Sequence, residues 1–272
     1  MATIELLQIT DPHLYGDPSR RLYGLDTADS LRQVISAALA EGRPDAIVAT
    51  GDIGDDCSEE SYRQFRLALG DWRIPVYCLP GNHDDPVRMA AVLAQPGFQY
   101  CGQARLGAWG VVFLDTHLPG SPSGRLQPAE LGRFEADVLS FDDAPVLICL
   151  HHPPVPVGSS WLDACGLENS DEFCSVLDRL PQVRAVIAGH VHQEFEARRG
   201  PVRLLTTPST CAQFTPRTVR CVMDRRPPGY RWIRLHDDGL LETRVAWLPA
   251  LLAEPLQEDE ARRPGQGVDT AR

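Results

Sequence analysis

The sequence predicts one α/β domain, built on a mixed sheet or on two packed sheets. Short apolar runs rich in Val, Ile and Leu recur through the first two thirds of the chain. Amphipathic helical stripes lie between them, and the last third reads as strands joined by a tight turn. Strand and helix in alternation, followed by an antiparallel run, is the pattern of a layered α/β fold.

The apolar runs are Ile4–Ile9, Ala46–Ala49, Val76–Leu79, Val111–Leu114, Val146–Leu150 and Ala185–Ala188. They are continuous rather than alternating, which suits strands covered on both faces. Leu31, Val34, Ile35, Ala38 and Leu39 keep helical spacing up to Gly42, a natural stop. Ser58 reads as an N-cap followed by acidic Glu59 and Glu60, with Tyr62, Phe65 and Leu69 as the inward stripe. Pro128 can open a helix that turns Leu131, Phe134 and Val138 inward. Phe173, Val176, Leu177 and Leu180 form a further stripe after Ser170. Each stripe is read as core rather than as a cofactor pocket. In the last third Thr218–Met223, Tyr230–Leu235 and Leu240–Leu248 read as strands, and His236-Asp237-Asp238-Gly239 joins the latter two as a hairpin. Residues 1–250 are expected to form the domain. Residues 251–272, polar and rich in Pro, Gly, Gln and charge, read as a disordered tail.

With 272 residues, 43% hydrophobic and 23% charged, the chain can bury a core that needs no disulfide. Its formal net charge of −11 argues against a nucleic-acid partner, which calls for clustered Lys and Arg. A small phosphate ester is not excluded, because bound metal can reverse the local field. The eight cysteines show no C-x-x-C spacing and are expected to be reduced, mostly buried thiols. The opening MATIELLQIT lacks the basic and apolar regions of a signal peptide. No stretch reaches the ~20 apolar residues of a membrane helix. Cytoplasm without membrane association is the expectation.

The chemistry lies at the strand ends. Ile4–Thr10 ends in Asp11-Pro12-His13, and Ala46–Thr50 in Gly51-Asp52. Val76–Pro80 ends in Gly81-Asn82-His83-Asp84, Val146–Leu150 in His151-His152, and Ala185–Ala188 in Gly189-His190-Val191-His192. Ligand crevices of open α/β sheets lie outside the C-terminal strand ends, so strands sharing a sheet edge would bring these side chains together. On an extended segment the paired histidines 190 and 192 would share one face. Carboxylate, amide and imidazole together suit Fe, Mn, Zn or Co. Seven donors (Asp11, His13, Asp52, Asn82, His151, His190 and His192) are too many for one ion with an open position. Shared between two, with Asp52 bridging, they match the two-metal clamp of in-line phosphoryl displacement, with ions ~3.5–4 Å apart. Two divalent ions against two carboxylates leave a charge of about +2, attractive to a phosphodiester. Any one of these motifs alone occurs in ordinary turns. Five in this order, each after an apolar strand, do not recur by accident.

The ordered set D-x-H, G-D, G-N-H-D, H-H and G-H-x-H resembles the calcineurin-like metallophosphoesterase superfamily, over roughly residues 4 to 250. The stretches HHPPVPVGSSWLDACGLENSDEF (His151–Phe173), GHVHQEFE (Gly189–Glu196) and TPSTCAQFTP (Thr207–Pro216), with LLQITDPHL and IVATGDI, closely resemble bacterial 3',5'-cyclic-AMP phosphodiesterases of class III. One departure is Pro153, where some relatives continue the histidine run, but the ligand carried over is the first histidine.

The resemblance implies a four-layer α-β-β-α sandwich with two mixed β-sheets. It implies a first metal on Asp11, His13, Asp52 and His192, and a second on Asp52, Asn82, His151 and His190, iron or manganese with zinc or cobalt as alternatives. His13, Asp52, Asn82, His83, His151 and His192 would meet the phosphate. His83 would be a catalytic, non-ligand histidine, oriented by Asp84, and His152 would be structural. The implied reaction is in-line attack of a metal-bridging hydroxide on 3',5'-cyclic AMP, giving 5'-AMP, with His83 serving the departing 3'-oxygen. The partner would be a small cyclic nucleotide, and the protein a monomer or homodimer. A broader phosphodiesterase acting on glycerophosphodiesters or 2',3'-cyclic nucleotides is the alternative. Trp161 could stack on a purine or simply be buried. A non-catalytic scaffold should have lost several ligands, and none is missing here. H-E-x-x-H of the zincins is absent.

Overall fold

Strands that are apolar on both faces must be covered twice, and this need sets the layering. The computed structural model describes residues 3–70 and 72–249. The tail expected at 251–272 lies outside these residues. One six-stranded sheet runs, edge to edge, β14 (Leu241–Trp247), β13 (Gly229–His236), β1 (Thr3–Ile9), β2 (Ala46–Thr50), β3 (Val76–Leu79) and β4 (Phe98–Tyr100). Strands β1 to β4 are parallel, β13 is antiparallel to β1, and β14 to β13. The other six-stranded sheet runs β5 (Gly102–Leu106), β6 (Trp109–Phe113), β7 (Val146–Cys149), β8 (Val183–Ala188), β10 (Val202–Thr206) and β9 (Phe195–Arg199). Its four inner strands are parallel and its two edge strands antiparallel. A small ribbon pairs β11 (Gln213–Phe214) with β12 (Met223–Asp224).

Three apolar layers hold the sandwich together. Alternate residues of β1 point to opposite faces. Leu7 and Ile9 join Leu31, Val34, Tyr62 and Phe65 under α1 (Thr27–Glu41), α2 (Glu59–Gly70) and α3 (Pro86–Leu93). Leu6 faces the other way and meets Val48, Leu79, Val111, Phe113, Leu147 and Ile187, so this cluster fills the space between the sheets. On the far side Val112, Ile148 and Val186 pack under Phe134 and Val138 of α4 (Pro128–Leu139) and under Phe173 and Leu177 of α6 (Ser170–Leu177). A short α5 (Ser160–Asp163) precedes α6. The architecture is a four-layer α-β-β-α sandwich with two mixed sheets. Among the described residues no helix is long and apolar enough to cross a membrane. All eight cysteines are free thiols, four of them buried.

Local signals set the helix ends. Ser58 Oγ accepts the Ser61 N–H at 3.1 Å and starts α2, while Pro128 opens α4. Helix α3 went unread in the sequence, although Asp85 caps it by accepting from Val87 and Arg88 N–H and Pro86 opens it. The expected strand Thr218–Met223 does not form. Only Met223 and Asp224 pair, because β11 offers just two residues to pair with. The segment before them therefore stays on the surface, with Val219 76% exposed.

Candidate metal centre

Five strand ends deliver the candidate side chains, and they do so from both sheets. Asp11 and His13 follow β1, Asp52 follows β2, and Asn82, His83 and Asp84 follow β3. His151 and His152 follow β7, and His190 and His192 follow β8. The expectation that these strands share one sheet edge is corrected: three belong to one sheet and two to the other. Face-to-face packing brings both sets of ends to a common rim.

The backbone bends sharply to aim the side chains. Asp11, His13, Asp52, His190 and His192 have φ of 51°, 47°, 50°, 69° and 49°. Left-handed backbone costs a non-glycine residue of order 1–3 kcal/mol, and such strain gathers at functional sites. The extended reading of residues 190–192 is thereby overturned, and the two rings reach different neighbours, His190 meeting Asn82 and His192 meeting Asp11. Gly51 and Gly81 show why the motifs carry glycine. A Cβ on Gly51, which has φ +95°, would lie 2.4 Å from His151 Nδ1, and one on Gly81 would lie 2.1 Å from Asp52 Oδ1.

Asp11, His13 and His192 offer ligand atoms within 4.8 Å of one another, and so do Asp11, Asp52 and His151. His13 Nε2 lies 3.2 Å from His192 Nε2 and 3.7 Å from Asp52 Oδ2. His192 Nε2 lies 3.4 Å from Asp11 Oδ1. The same Asp52 Oδ2 is 3.4 Å from His151 Nε2, so this one oxygen sits between the two groups. Asn82 Oδ1 is 3.2 Å from His151 Nε2 and 3.0 Å from His190 Nδ1.

Hydrogen bonds behind the rim set the tautomers. His151 Nδ1 donates to Thr50 O at 2.7 Å and His192 Nδ1 to Ala212 O at 2.7 Å, which turns each Nε2 toward the site. Phe214 stacks on the His192 ring, centroids 4.5 Å apart and planes at 22°. Thr10 Oγ1 donates to Asp11 Oδ2 at 2.6 Å, and the His190 backbone N–H donates to both Asp11 oxygens at 3.1 Å.

His83 sits at the mouth, its side chain 37% exposed. Its backbone N–H donates to Asp52 Oδ1 at 2.8 Å. The carboxylate at its ring is Asp55, with Oδ1 3.4 Å from His83 Nδ1 and 3.2 Å from His13 Nδ1. The expectation that Asp84 orients His83 is corrected accordingly. Asp84 accepts the backbone N–H groups of Ile53, Gly54 and Gly81 and ties the two loops together. Asp55 was missed because acidic residues are common in turns; its one signal is the third place after Asp52. His152 has both ring nitrogens bonded within the fold, to Thr116 Oγ1 at 2.8 Å and Pro122 O at 3.3 Å.

The electrostatics match these contacts. Burial would raise the Asp52 carboxyl, but the surrounding imidazoles, His151 foremost, hold it well below the usual range. Burial also works against a proton on His151, yet Asp52 outweighs it and lifts the ring to about 9. Burial, reinforced by His151, pushes His190 down to about 3, so that ring is neutral. Burial and the Asp52 charge raise Asp84 to about 7 despite its three N–H donors.

A cation pair fits this donor set. His190 Nε2 is buried and has no hydrogen-bond partner among the described residues. Imidazole nitrogens and carboxylate oxygens crowd within 3.2–3.7 Å of one another. Borderline nitrogen and hard oxygen suit first-row transition metals.

Comparison with known proteins adds three findings. A family model described as calcineurin-like phosphoesterase matches residues 4–194. The chain is 41% identical over 247 residues to the 3',5'-cyclic adenosine monophosphate phosphodiesterase CpdA of Pseudomonas aeruginosa, covering 90% of each, and 36% identical to a 3',5'-cyclic-nucleotide phosphodiesterase of Nostoc, covering 93% of this chain and 96% of that one. Among solved structures, a dimetal phosphatase from Danio rerio shares the fold, with a TM-score of 0.63 and 17% identity over 85% of this chain and 95% of that one.

Proposed function

The chain belongs to the calcineurin-like phosphoesterase family, and on that premise we propose that it hydrolyses 3',5'-cyclic AMP to 5'-AMP at a dinuclear metal centre. The likeness to cyclic-nucleotide phosphodiesterases along nine tenths of the chain is the observation that carries the substrate. The convergence of carboxylate, amide and imidazole on one rim supports the chemistry.

Asp11, His13, Asp52 and His192 would hold one ion, and Asp52, Asn82, His151 and His190 the other, with Asp52 between them. We take the ions as manganese or iron, with zinc or cobalt as alternatives that the same donors would hold. When bound, the pair supplies charge for the phosphate and an activated water for in-line displacement. The protein's own groups do the rest. Thr50 and Ala212 carbonyls fix the tautomers of His151 and His192. Asp55 steadies the ring of His83, which would hand a proton to the departing 3'-oxygen of the ribose. A reducing compartment, the cytoplasm, is our reading of where it acts, supported by eight free thiols.

The test is hydrolysis of a panel of 3',5'-cyclic nucleotides, 2',3'-cyclic nucleotides and glycerophosphodiesters by purified protein loaded with Mn²⁺ or Fe²⁺. Cyclic AMP should rank first in kcat/KM. A higher value for glycerophosphodiesters or 2',3'-cyclic nucleotides would replace the proposed substrate.

A further inference from the structure

The candidate donors are split between two sheets, and the layer joining those sheets is apolar: Leu6, Val48 and Leu79 on one side, Val111, Leu147 and Ile187 on the other. Apolar contact is non-directional, so it sets how closely the sheets approach but not how they register. A metal pair needs its ligands at one spacing, ~3.5–4 Å between ions. Something directional has to fix that register.

Fully buried polar side chains stand in this layer, and Gln8 links across it. Gln8 is 0% exposed and lies on the same face of β1 as Leu6. Its Nε2 donates to Thr50 Oγ1 at 3.0 Å, within its own sheet, and to Ala188 O at 3.2 Å, in the other. Its Oε1 accepts from Thr207 Oγ1 at 2.6 Å. Thr207 Oγ1 in turn accepts from Arg231 Nε at 3.0 Å, back on the first sheet. Arg231 also donates to Thr206 O at 2.8 Å and Thr243 Oγ1 at 3.1 Å. These links cross between the sheets in both directions.

We propose that Gln8, Thr207 and Arg231 form a polar strut that sets the spacing of the two metal positions. Each end of the strut is attached to candidate donors. Gln8 is three residues before Asp11, and Ala188 is two before His190. Thr50, which Gln8 bonds through Oγ1, offers its carbonyl to His151 Nδ1. Arg231 is 3% exposed and bonds neutral oxygens here. Burying a guanidinium this way costs free energy, and the return is a unique arrangement of the elements it joins. Gln8, Thr207 and Arg231 are positioning residues, since they act through the ligands.

The strut rests on the two-ion reading, so its test counts ions first. The full chain is titrated with Mn²⁺, and low-temperature electron paramagnetic resonance reads the exchange coupling between bound ions. Thr207→Val keeps the shape and loses the hydroxyl, while Thr207→Ser keeps the hydroxyl. Gln8→Glu keeps the acceptor for Thr207 but cannot donate to Ala188, and it decides alone should Thr207→Val fail to fold. Wild type and Thr207→Ser should bind two coupled ions. Thr207→Val and Gln8→Glu should bind the pair about 10- to 100-fold more weakly, as outer-shell losses do, with a changed coupling. Wild-type affinity and coupling in both of these variants, whatever their unfolding midpoints, would overturn the strut. Fewer than two ions in wild type would overturn the two-ion reading and the strut with it.

Discussion

His13 and His192 meet Nε2 to Nε2 at 3.2 Å. Each turns its other nitrogen to an oxygen, His13 Nδ1 to Asp55 Oδ1 at 3.2 Å and His192 Nδ1 to Ala212 O at 2.7 Å. Both Nε2 atoms are thereby turned into the site, with the Asp11 and Asp52 carboxylates alongside. Two inward imidazole nitrogens and two carboxylates make a donor set for a cation. Removal of metal by chelation should therefore abolish cyclic-AMP hydrolysis, and Mn²⁺ or Fe²⁺ should restore it. Undiminished turnover by protein shown by elemental analysis to be metal-free would refute the metal centre.

Asp52 and Asn82 should differ in what they hold. Asp52 Oδ2 lies between His13 and His151, whereas Asn82 Oδ1 faces His151 and His190. Asp52→Ala should empty both positions, and Asn82→Ala should weaken one. Metal content per chain measures this directly. Equal, full occupancy in both variants would remove Asp52 from its bridging place.

His83 should matter to chemistry and not to metal. The ribose 3'-oxygen leaves as a strong base, while a nitrophenolate leaves unaided. General acid help is worth ~10²–10⁴-fold. His83→Ala should slow cyclic AMP hydrolysis within that range, lose much less on bis(p-nitrophenyl) phosphate and retain two ions. Equal losses on both substrates would point to stabilisation of the phosphate instead.

Asp55 touches both a candidate ligand and the candidate acid, so its loss should show both effects. Asp55→Asn keeps the shape and removes the charge. It should lower metal affinity about 10- to 100-fold, which His83→Ala should not. Combining the two substitutions should cost less in turnover than the product of the single losses, because they share one ring. A fully multiplicative double variant would separate the two residues.

Metal uptake should release protons. Asp52 outweighs burial and holds a proton on His151 up to about 9, and a metal takes the neutral ring. Below that pH the proton must leave as the ion enters, so affinity should rise with pH, by about tenfold per unit from 7 to 9, and then level. His190, neutral above about 3, should add nothing in this range. Calorimetric titration in two buffers of different ionisation enthalpy counts the protons. An affinity that falls as pH rises would contradict the assignment.

Much of the fold was legible because its signals are local. Continuous apolar runs such as Ala46–Ala49 and Val146–Leu150 mark strands that need two covers, and both lie within the sandwich. Short edge strands carry no such mark. β5 alternates half-buried with exposed residues, and β4 spans three residues, so neither stands out from a loop. Thr218–Met223 failed for the opposite reason: its composition suits a strand, but no sheet face comes to cover it.

The candidate site divides along the same line. Which side chains could grip a metal, and in what order they occur, is determined by the sequence itself, since donor chemistry belongs to the residue and each donor directly follows its strand. Only the tertiary structure decided that three strands come from one sheet and two from the other, that Asp55 rather than Asp84 faces His83, and that His190 and His192 sit on left-handed rather than extended backbone. The same holds for Gln8, whose acceptor oxygen is met by a hydroxyl 199 residues away. Such pairings arise when two sheets pack face to face, a long-range event of burial and hydrogen bonding that leaves no periodic trace along the chain.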